Sequence, residues 1–312
     1  MTLSIIVVSY NTSDMTCACL RSVFEQTQAT EFELIVLDNA STDGSADAIE
    51  AEFGERVTLV RSEDNLGFAQ GNNVAATHAQ GEFLLLLNPD TLVLDGAIDR
   101  LVAFAGRTRE AGVWGGRTVF EDRSLNPASC WRRMTPWSLA CHAAGLTRLL
   151  RNTELFNPEA YGGWDRSTER EVDIVSGCFL LIRRELWEEL GGFDRTFFMY
   201  GEEADLCLRA KARGWRPRVT PGATIVHYGG ASERVRADKV VRLLAAKSTL
   251  IGRHWSRFMV PLGRLLLAAW PMSRLVALTA AGLIGKKRDS RGVWREVWRR
   301  RREWLGGYAE AA

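Results

Sequence analysis

The sequence predicts an α/β protein built on a doubly wound, mostly parallel sheet, with an α-helical C-terminal extension. Three observations predict it. Short apolar, β-branched runs alternate with helical patterns from Leu3 to Leu87, carboxylates and amides cluster where those runs end, and the cationic side chains crowd into the last quarter of the chain. With 312 residues, 46% hydrophobic and 25% charged, the composition excludes a disordered or fibrous chain and allows one large domain with an appendage, or two domains.

The first run, Leu3 to Ser9 (LSIIVVS), is too short for a membrane span or a signal segment and reads as a buried parallel strand. Asn11, Thr12 and Ser13 are good helix caps, and Leu20, Val23 and Phe24 fall at helical spacing within Asp14 to Thr27. Strands follow at Glu33 to Leu37, Val57 to Val60 and Phe83 to Leu87, with helices at Ser45 to Phe53 and Ala69 to Ala79 between them. From Gly116 to about Glu171 prolines, tryptophans and Gly162-Gly163 interrupt any period, which predicts an insertion with helical character over Ser138 to Leu150. Regularity returns with the apolar run Val172 to Ile182, helices at Arg184 to Leu190 and Glu203 to Arg213, and a last strand from Arg218 to His227.

Six cysteines without a Cys-x-x-Cys pair or a leader-like segment are expected to be reduced cytosolic thiols packed as small hydrophobes. The charge is uneven. Residues 1–80 carry 3 basic and 12 acidic side chains, and residues 231–312 carry 18 basic and 6 acidic. A cationic end implies an anionic partner.

Gly-x-Gly-x-x-Gly, Walker A, His-Glu-x-x-His and Gly-x-Ser-x-Gly are all missing, which argues against dinucleotide oxidoreductases, P-loop NTPases, zincins and common serine hydrolases. Instead Asp38 closes the second strand in LIVLDNASTDGS, Asn65 and Gly67 follow the third in EDNLGFAQGNN, and Asp90 follows the fourth in LLLLNPD. Right-handed crossovers place all three on one sheet edge. Singly, Asp38 with Asn39, Ser41 and Asp43 also suits a helix cap, and Asn88-Pro89-Asp90 a plain turn. Together they supply a carboxylate for a base N–H, a glycine loop for a pyrophosphate and an Asp for a hard cation, the parts needed to hold a nucleoside diphosphate.

These segments, with SIIVVSYN, SGCFLLIRRELWEELGGFDRTFFMYGEEADLCLRAKARGW and VHYGG, resemble the family 2 glycosyltransferases of the GT-A fold over roughly residues 3–230. The Asn-Pro-Asp form and FFMYGEEADLCLR are most similar to the rhamnosyltransferase-like branch, whose donor is commonly dTDP-L-rhamnose. The resemblance implies that Tyr10 and Asn11 border the base, that Asp38 accepts from its N3–H, and that Asn65, Gly67 and Asn73 line the ribose and diphosphate. Asn88 and Gly177 join the donor side. Asp90 matches the last carboxylate of the Asp-x-Asp motif and is expected to hold Mg²⁺ or Mn²⁺, although Asn88 replaces the first Asp. His227 matches a residue that completes the metal or phosphate site in some members, and a hydrogen-bonded structural His fits its strand end equally well. Glu203 stands where members carry the Asp that takes the acceptor proton; one more methylene lengthens its reach by about 1.5 Å. Glu202 is the reserve base. Asp205 and Arg209, four apart, are expected to form a structural pair on the helix surface.

The expected organisation is a GT-A catalytic domain over 1–230, comprising a nucleotide-sugar half (1–115), a variable insertion (116–171) and an acceptor and base half (172–230), before a helical basic region (231–312). One base opposite one cation suits an inverting transfer, and no second carboxylate suggests itself as a covalent nucleophile. The acceptor is expected to be lipid-linked or a polysaccharide, as in cell-envelope polysaccharide biosynthesis. In the tail, Phe258 to Gly285 is apolar except for Arg264, Arg274 and small polar residues, and GKKRDSRGVWREVWRRRREW interleaves nine cations with Trp294, Trp298 and Trp304. That pattern predicts a peripheral helix on an anionic membrane surface at the inner face of the cell membrane; a solvated coiled tail and a nucleic-acid patch are the rival readings, packing on the domain or a homodimer contact is the other use open to 258–285, and no nucleic-acid partner is expected. A transferase for another UDP-, dTDP- or GDP-sugar and a catalytically inert adaptor of the same fold are the alternatives. A nucleotidyltransferase would place a glycine-rich loop after the first strand, where SYNTSD has none.

Overall fold

The computed structural model describes residues 2–229, 236–282 and 288–309. Gly230 of the VHYGG segment, the 230/231 domain boundary, the end of the apolar run at 283–285, and Lys286 and Lys287 lie outside the described residues. In chain order the elements are β1 (Leu3–Ser9), α1 (Ser13–Gln26), β2 (Phe32–Asp38), α2 (Ser45–Phe53), β3 (Thr58–Arg61), α3 (Gly67–Ala76), β4 (Phe83–Leu87), β5 (Thr91–Val93), α4 (Ala97–Arg107) and β6 (Val113–Val119). Then come β7 (Leu125–Asn126), β8 (Cys130–Trp131), α5 (Pro136–Ala143), α6 (Leu146–Leu149), β9 (Arg170–Glu171), β10 (Ile174–Val175), β11 (Phe179–Arg183) and α7 (Arg184–Leu190). The last are α8 (Glu202–Ala212), β12 (Arg218–His227), α9 (Arg236–His254), α10 (Val260–Gly282), α11 (Arg288–Arg299) and α12 (Arg301–Leu305).

The chain divides into two compact units. The first (1–131, 165–198 and 202–232) holds the large sheet, ordered β3-β2-β1-β4-β11-β6-β12-β5. Parallel pairing joins β3, β2, β1 and β4 in series and joins β6 to β12; β11 runs against both its neighbours, and β5 against β12. Strand β1 is buried along its whole length because it is paired on both sides and covered on both faces, which is why it reads as an unbroken apolar run rather than an alternating one. Burying each of its Ile and Val side chains contributes about 1.5–3 kcal/mol.

This direction pattern positions the site. Two reversals around β11 return β6 and β12 to the direction of β4, so the carboxyl ends of β2, β4 and β12 and the amino end of β11 share one edge. The sheet is therefore mixed, and the reversed strand brings Gly177 and Cys178 to the same edge as Asp38 and Asp90.

The break expected at Gly116 falls inside β6, a central strand. Its two glycines hid it: a Cβ on Gly116 would lie 2.2 Å from the Ala223 carbonyl oxygen, and one on Gly115 would lie 2.5 Å from Val175. Close packing, not a loop, demands them. The stretch 116–171 is in fact divided, since 132–164 belongs to the second unit.

That second unit (132–164, 199–201 and 233–312) is helical, with α5, α6, α9, α10, α11 and α12 around a core of Leu139, Leu244, Ile251, Leu267, Val297 and Trp304. The tail tryptophans, expected at a membrane interface, are part of this packing. Trp304 is fully buried, its indole N–H donates to the Val297 carbonyl at 3.0 Å, and Trp294 and Trp298 pack against the same cluster. Their four-residue spacing marks one helical face, but that face meets α9 and α10. Among the described residues, no helix is long and apolar enough to cross a membrane.

Candidate active site

Asp38 ends β2 with its side chain almost completely buried. Oδ2 accepts from the Ser41 N–H at 3.1 Å, and Oδ1 has no hydrogen-bond partner in the structure. An open cleft of about 630 Å³ begins there, lined by Asp38, Ala40, Ser41, Thr42, Arg61 and Ser62, within the size range of small-molecule sites. Asn11, just past β1 and Tyr10, adopts φ +52° so that its Oδ1 accepts from the Thr42 N–H at 2.8 Å while its own N–H donates to Ser41 Oγ at 3.0 Å. Asp43 performs the capping that was one reading of Asp38, accepting from the N–H groups of Ser13 and Ser45 at the starts of α1 and α2.

The glycine loop is held by Asn39, whose place in the sequence beside Asp38 suggests only a helix cap. Its Oδ1 accepts from the Leu66 N–H at 2.8 Å, and its Nδ2 donates to Asn65 Oδ1 at 3.1 Å and to the Gly67 carbonyl at 3.3 Å. Gly67, at φ +74°, is a glycine because a Cβ there would sit 2.4 Å from the Phe198 carbonyl oxygen. Asn73 does not join Asn65 and Gly67. Its Nδ2 donates to the Phe193 carbonyl at 2.8 Å and its Oδ1 accepts from the Phe193 N–H at 2.9 Å, so both ends are used in tying α3 to the chain after α7; a helix position in NLGFAQGNN gave no sign of that partner.

Asp90 and His227 meet because β12 pairs antiparallel with β5, opposing His227 to Thr91, and the Tyr228 N–H donates to the Asp90 carbonyl. His227 Nε2 lies 3.5 Å from Asp90 Oδ1, and both side chains are nearly buried. Burial works against charge on His227, but neighbouring Cys178 and Asp90 outweigh it and raise its pKa to about 10; burial likewise opposes ionisation of Asp90, yet hydrogen bonding from His227 holds its pKa below the usual carboxylate value. His227 Nδ1 and Asn88 Oδ1 are buried without hydrogen-bond partners. Among the described residues no group of three or more His, Cys, Asp or Glu is arranged for a metal ion. A hard cation here would meet the Asp90 carboxylate, the unengaged Asn88 amide oxygen and a His227 imidazole that must first give up its proton, with phosphate and water supplying the remaining ligands.

Gly177 connects this pair to Glu203. A Cβ on Gly177 would lie 3.7 Å from Glu203 Cβ and 3.3 Å from Phe68, while the next residue, Cys178, adjoins His227 and accepts from the Asn88 N–H through its carbonyl. Glu202 and Glu203 open α8; Glu202 is buried and Glu203 only half-buried. Asp205 is buried rather than on a helix surface, its Oδ2 accepting from Arg209 Nε at 2.7 Å, and Arg209 also donates to the carbonyls of Leu190 and Gly192.

A family model, Glycosyl transferase family 2, matches residues 4–191. The chain belongs to this family. Over 219 residues it is 32% identical to the N-acetylglucosaminyl-diphospho-decaprenol L-rhamnosyltransferase of Mycobacterium tuberculosis, covering 64% of this chain and 68% of that protein. It is 31% identical over 236 residues to the O-antigen biosynthesis protein RfbC of Myxococcus xanthus, covering 75% of this chain but only 18% of that much longer protein. Rhamnosyltransferase WbbL of Escherichia coli is 25% identical over 206 residues, 61% of this chain and 75% of its own. Among solved structures, the mannosyltransferase PcManGT from Pyrobaculum calidifontis, in complex with GDP-Man and Mn²⁺, aligns with a TM-score of 0.59 at 20% identity over 95% of this chain and 84% of that one. This family 2 protein thus has the GT-A fold, with helices appended at its C-terminus.

Proposed function

We propose that this glycosyltransferase is metal-dependent and inverting, and that it moves L-rhamnose from dTDP-L-rhamnose to a hydroxyl of a lipid-linked acceptor as a peripheral protein on the cytoplasmic face of a membrane. The observation that carries the chemistry is the Gly177-Cys178 dipeptide, which has Glu203 against its first residue and the Asp90–His227 pair beside its second. Glu203 and the Asp90–His227 pair thereby flank residues whose Cα atoms are about 3.8 Å apart, which supports reading the first as the base and the second as the cation site. Relatives named as rhamnosyltransferases support the donor sugar, and the name of the decaprenol-linked relative supports the acceptor.

In this scheme Asp38 accepts the N3–H of the nucleobase on Oδ1, and Asn39 holds the Asn65–Gly67 loop toward the ribose and diphosphate. Asp90, with His227 once it has lost its proton, would hold Mg²⁺ or Mn²⁺, which would supply positive charge to the departing diphosphate. Glu203 takes the proton of the acceptor hydroxyl as that oxygen bonds to the anomeric carbon and the bond to the diphosphate breaks on the opposite face. One displacement inverts the centre. Half-buried Glu203 suits this exchange better than buried Glu202.

The test is Glu203→Gln, which preserves size but cannot accept the proton. Turnover is expected to fall by roughly 10²- to 10⁴-fold with donor affinity near wild type, and Glu202→Gln to have the smaller effect. Normal turnover by Glu203→Gln removes the assignment, and a dead Glu202→Gln with an active Glu203→Gln moves it to the neighbour.

A further inference from the structure

We infer that the outer face of α10 is a docking surface for anionic phospholipid. The inference builds on the membrane-bound acceptor proposed above and locates the contact that serves it, on a surface other than the tryptophan-rich helix.

Helix α10 has two apolar faces. The inner one packs in the helical unit: Leu267 is fully buried, Trp270 packs at a tilt against His142 at 4.8 Å between ring centres, and Gly263 is so close to α9 and the turn after it that a Cβ would lie 2.7 Å from Trp255 and 2.8 Å from Ile251. The outer one carries Leu262, Leu265, Met272 and Val276, exposed to 40%, 67%, 36% and 60%. At 3.6 residues per turn these four fall within an arc of about 80°, so they form a stripe. Phe258 and Met259, at the turn before the helix, extend it. A helix on an ordinary soluble surface turns polar residues outward. Ten of the twelve large apolar side chains exposed among the described residues belong to this helical unit, a concentration that marks an interaction surface rather than scattered exposure.

Charge identifies the occupant. From Lys239 to Arg288 the sequence has ten Lys and Arg and no Asp or Glu; Lys247 is taken up by Glu159 within the unit, and Arg148, from α6 of the same unit, lies near enough to Arg274 of α10 to affect its ionisation. An apolar stripe within a segment free of acids complements a surface that is apolar inside and anionic outside, which is a lipid leaflet carrying acidic headgroups. Each cation near such a surface strengthens the attraction, and salt weakens it. Because no described helix can cross a bilayer, α10 lies on the leaflet.

The experiment compares the full chain with its Leu265→Gln/Val276→Gln variant on vesicles of phosphatidylglycerol with phosphatidylcholine and on phosphatidylcholine alone. Wild type is expected to sediment with the anionic vesicles and weakly with the neutral ones, and the variant to bind about tenfold less or worse, with an unchanged melting temperature because both positions are exposed. A second measurement needs no loss of function. All six native cysteines are buried, so a thiol introduced by Leu265→Cys takes an environment-sensitive dye selectively, and its emission should shift to the blue on anionic vesicles. The same dye at Arg295→Cys, on the exposed side of α11, should not shift. Undiminished binding by the double variant, or a blue shift confined to position 295, overturns the inference. A dimer in light scattering that the double variant dissolves overturns it too, assigning the stripe to a second copy. Sugar transfer to a water-soluble acceptor is measured in parallel, so a failed transferase assignment, seen as an inactive wild type, is distinguishable from a failed docking surface.

Discussion

Asp90 joins two demands in one side chain, since its carboxylate must stay ionised while nearly buried, and His227 at 3.5 Å makes that feasible. Asp90→Asn preserves the shape and removes the charge. It is expected to abolish turnover and the metal-dependent part of the thermal stabilisation given by dTDP, with the fold intact by circular dichroism; undiminished metal dependence would remove Asp90 from the proposed site. The shared sheet edge of Asp38 and Asp90 was legible in the sequence because right-handed crossovers fix where successive strand ends face, whereas His227 and Glu203 were pointed to only by the family resemblance. The roles of Asn39 and Asn73 were not legible, because an amide's role depends on the partner it meets across the fold. Asn39 bonds to residues 26 to 28 positions away, and Asn73 to Phe193, 120 away.

At the scale of elements, the start of α3 depends on Gly67 for both its left-handed backbone and its approach to Phe198. Gly67→Ala is expected to cost about 2 kcal/mol or more and to weaken donor binding together with stability, because the Asn39 bonds to Leu66 and Gly67 move with the loop. Scanning calorimetry with and without dTDP-L-rhamnose checks this, and an unchanged melting temperature would show that the loop absorbs the methyl. The alternation from β1 to β4 was legible because apolar runs and helical periods do not overlap there. Strand β6 was not, since paired glycines at a crowded centre look like a loop, and the reversed β11 resembles any buried strand when only its composition is known.

Over the whole molecule, opposed titrations bound the pH range of stability. In the helical unit burial would raise the Glu159 pKa, but Lys247 at 2.7 Å, His142 and Ser138 together hold it below 4.5; burial chiefly keeps His142 below 6.5, reinforced by Lys247 and Arg274 against Glu159. Both groups make the unfolded chain bind more protons, so stability falls as pH drops below about 6.5 through His142 and again below about 4.5 through Glu159. His227 has the opposite sign: raised to about 10 in the metal-free protein, it contributes fully below 6.5 and is lost as pH rises toward 10. Melting temperature against pH should therefore peak near neutrality, with His142→Phe flattening the acid limb and His227→Gln the alkaline one; stability that rises on acidification from 6.5 would contradict the signs. The tail's cationic, tryptophan-rich composition was legible, but its use was not, because sequence spacing gives a helix its faces without saying which one meets the core. Most directly, the central claim is tested by the anomeric configuration of the product formed from dTDP-L-rhamnose with Mg²⁺ or Mn²⁺, read by NMR. A rhamnoside of configuration opposite to the donor's, formed only with metal, is the expected result; retained configuration, or transfer unaffected by EDTA, would contradict it.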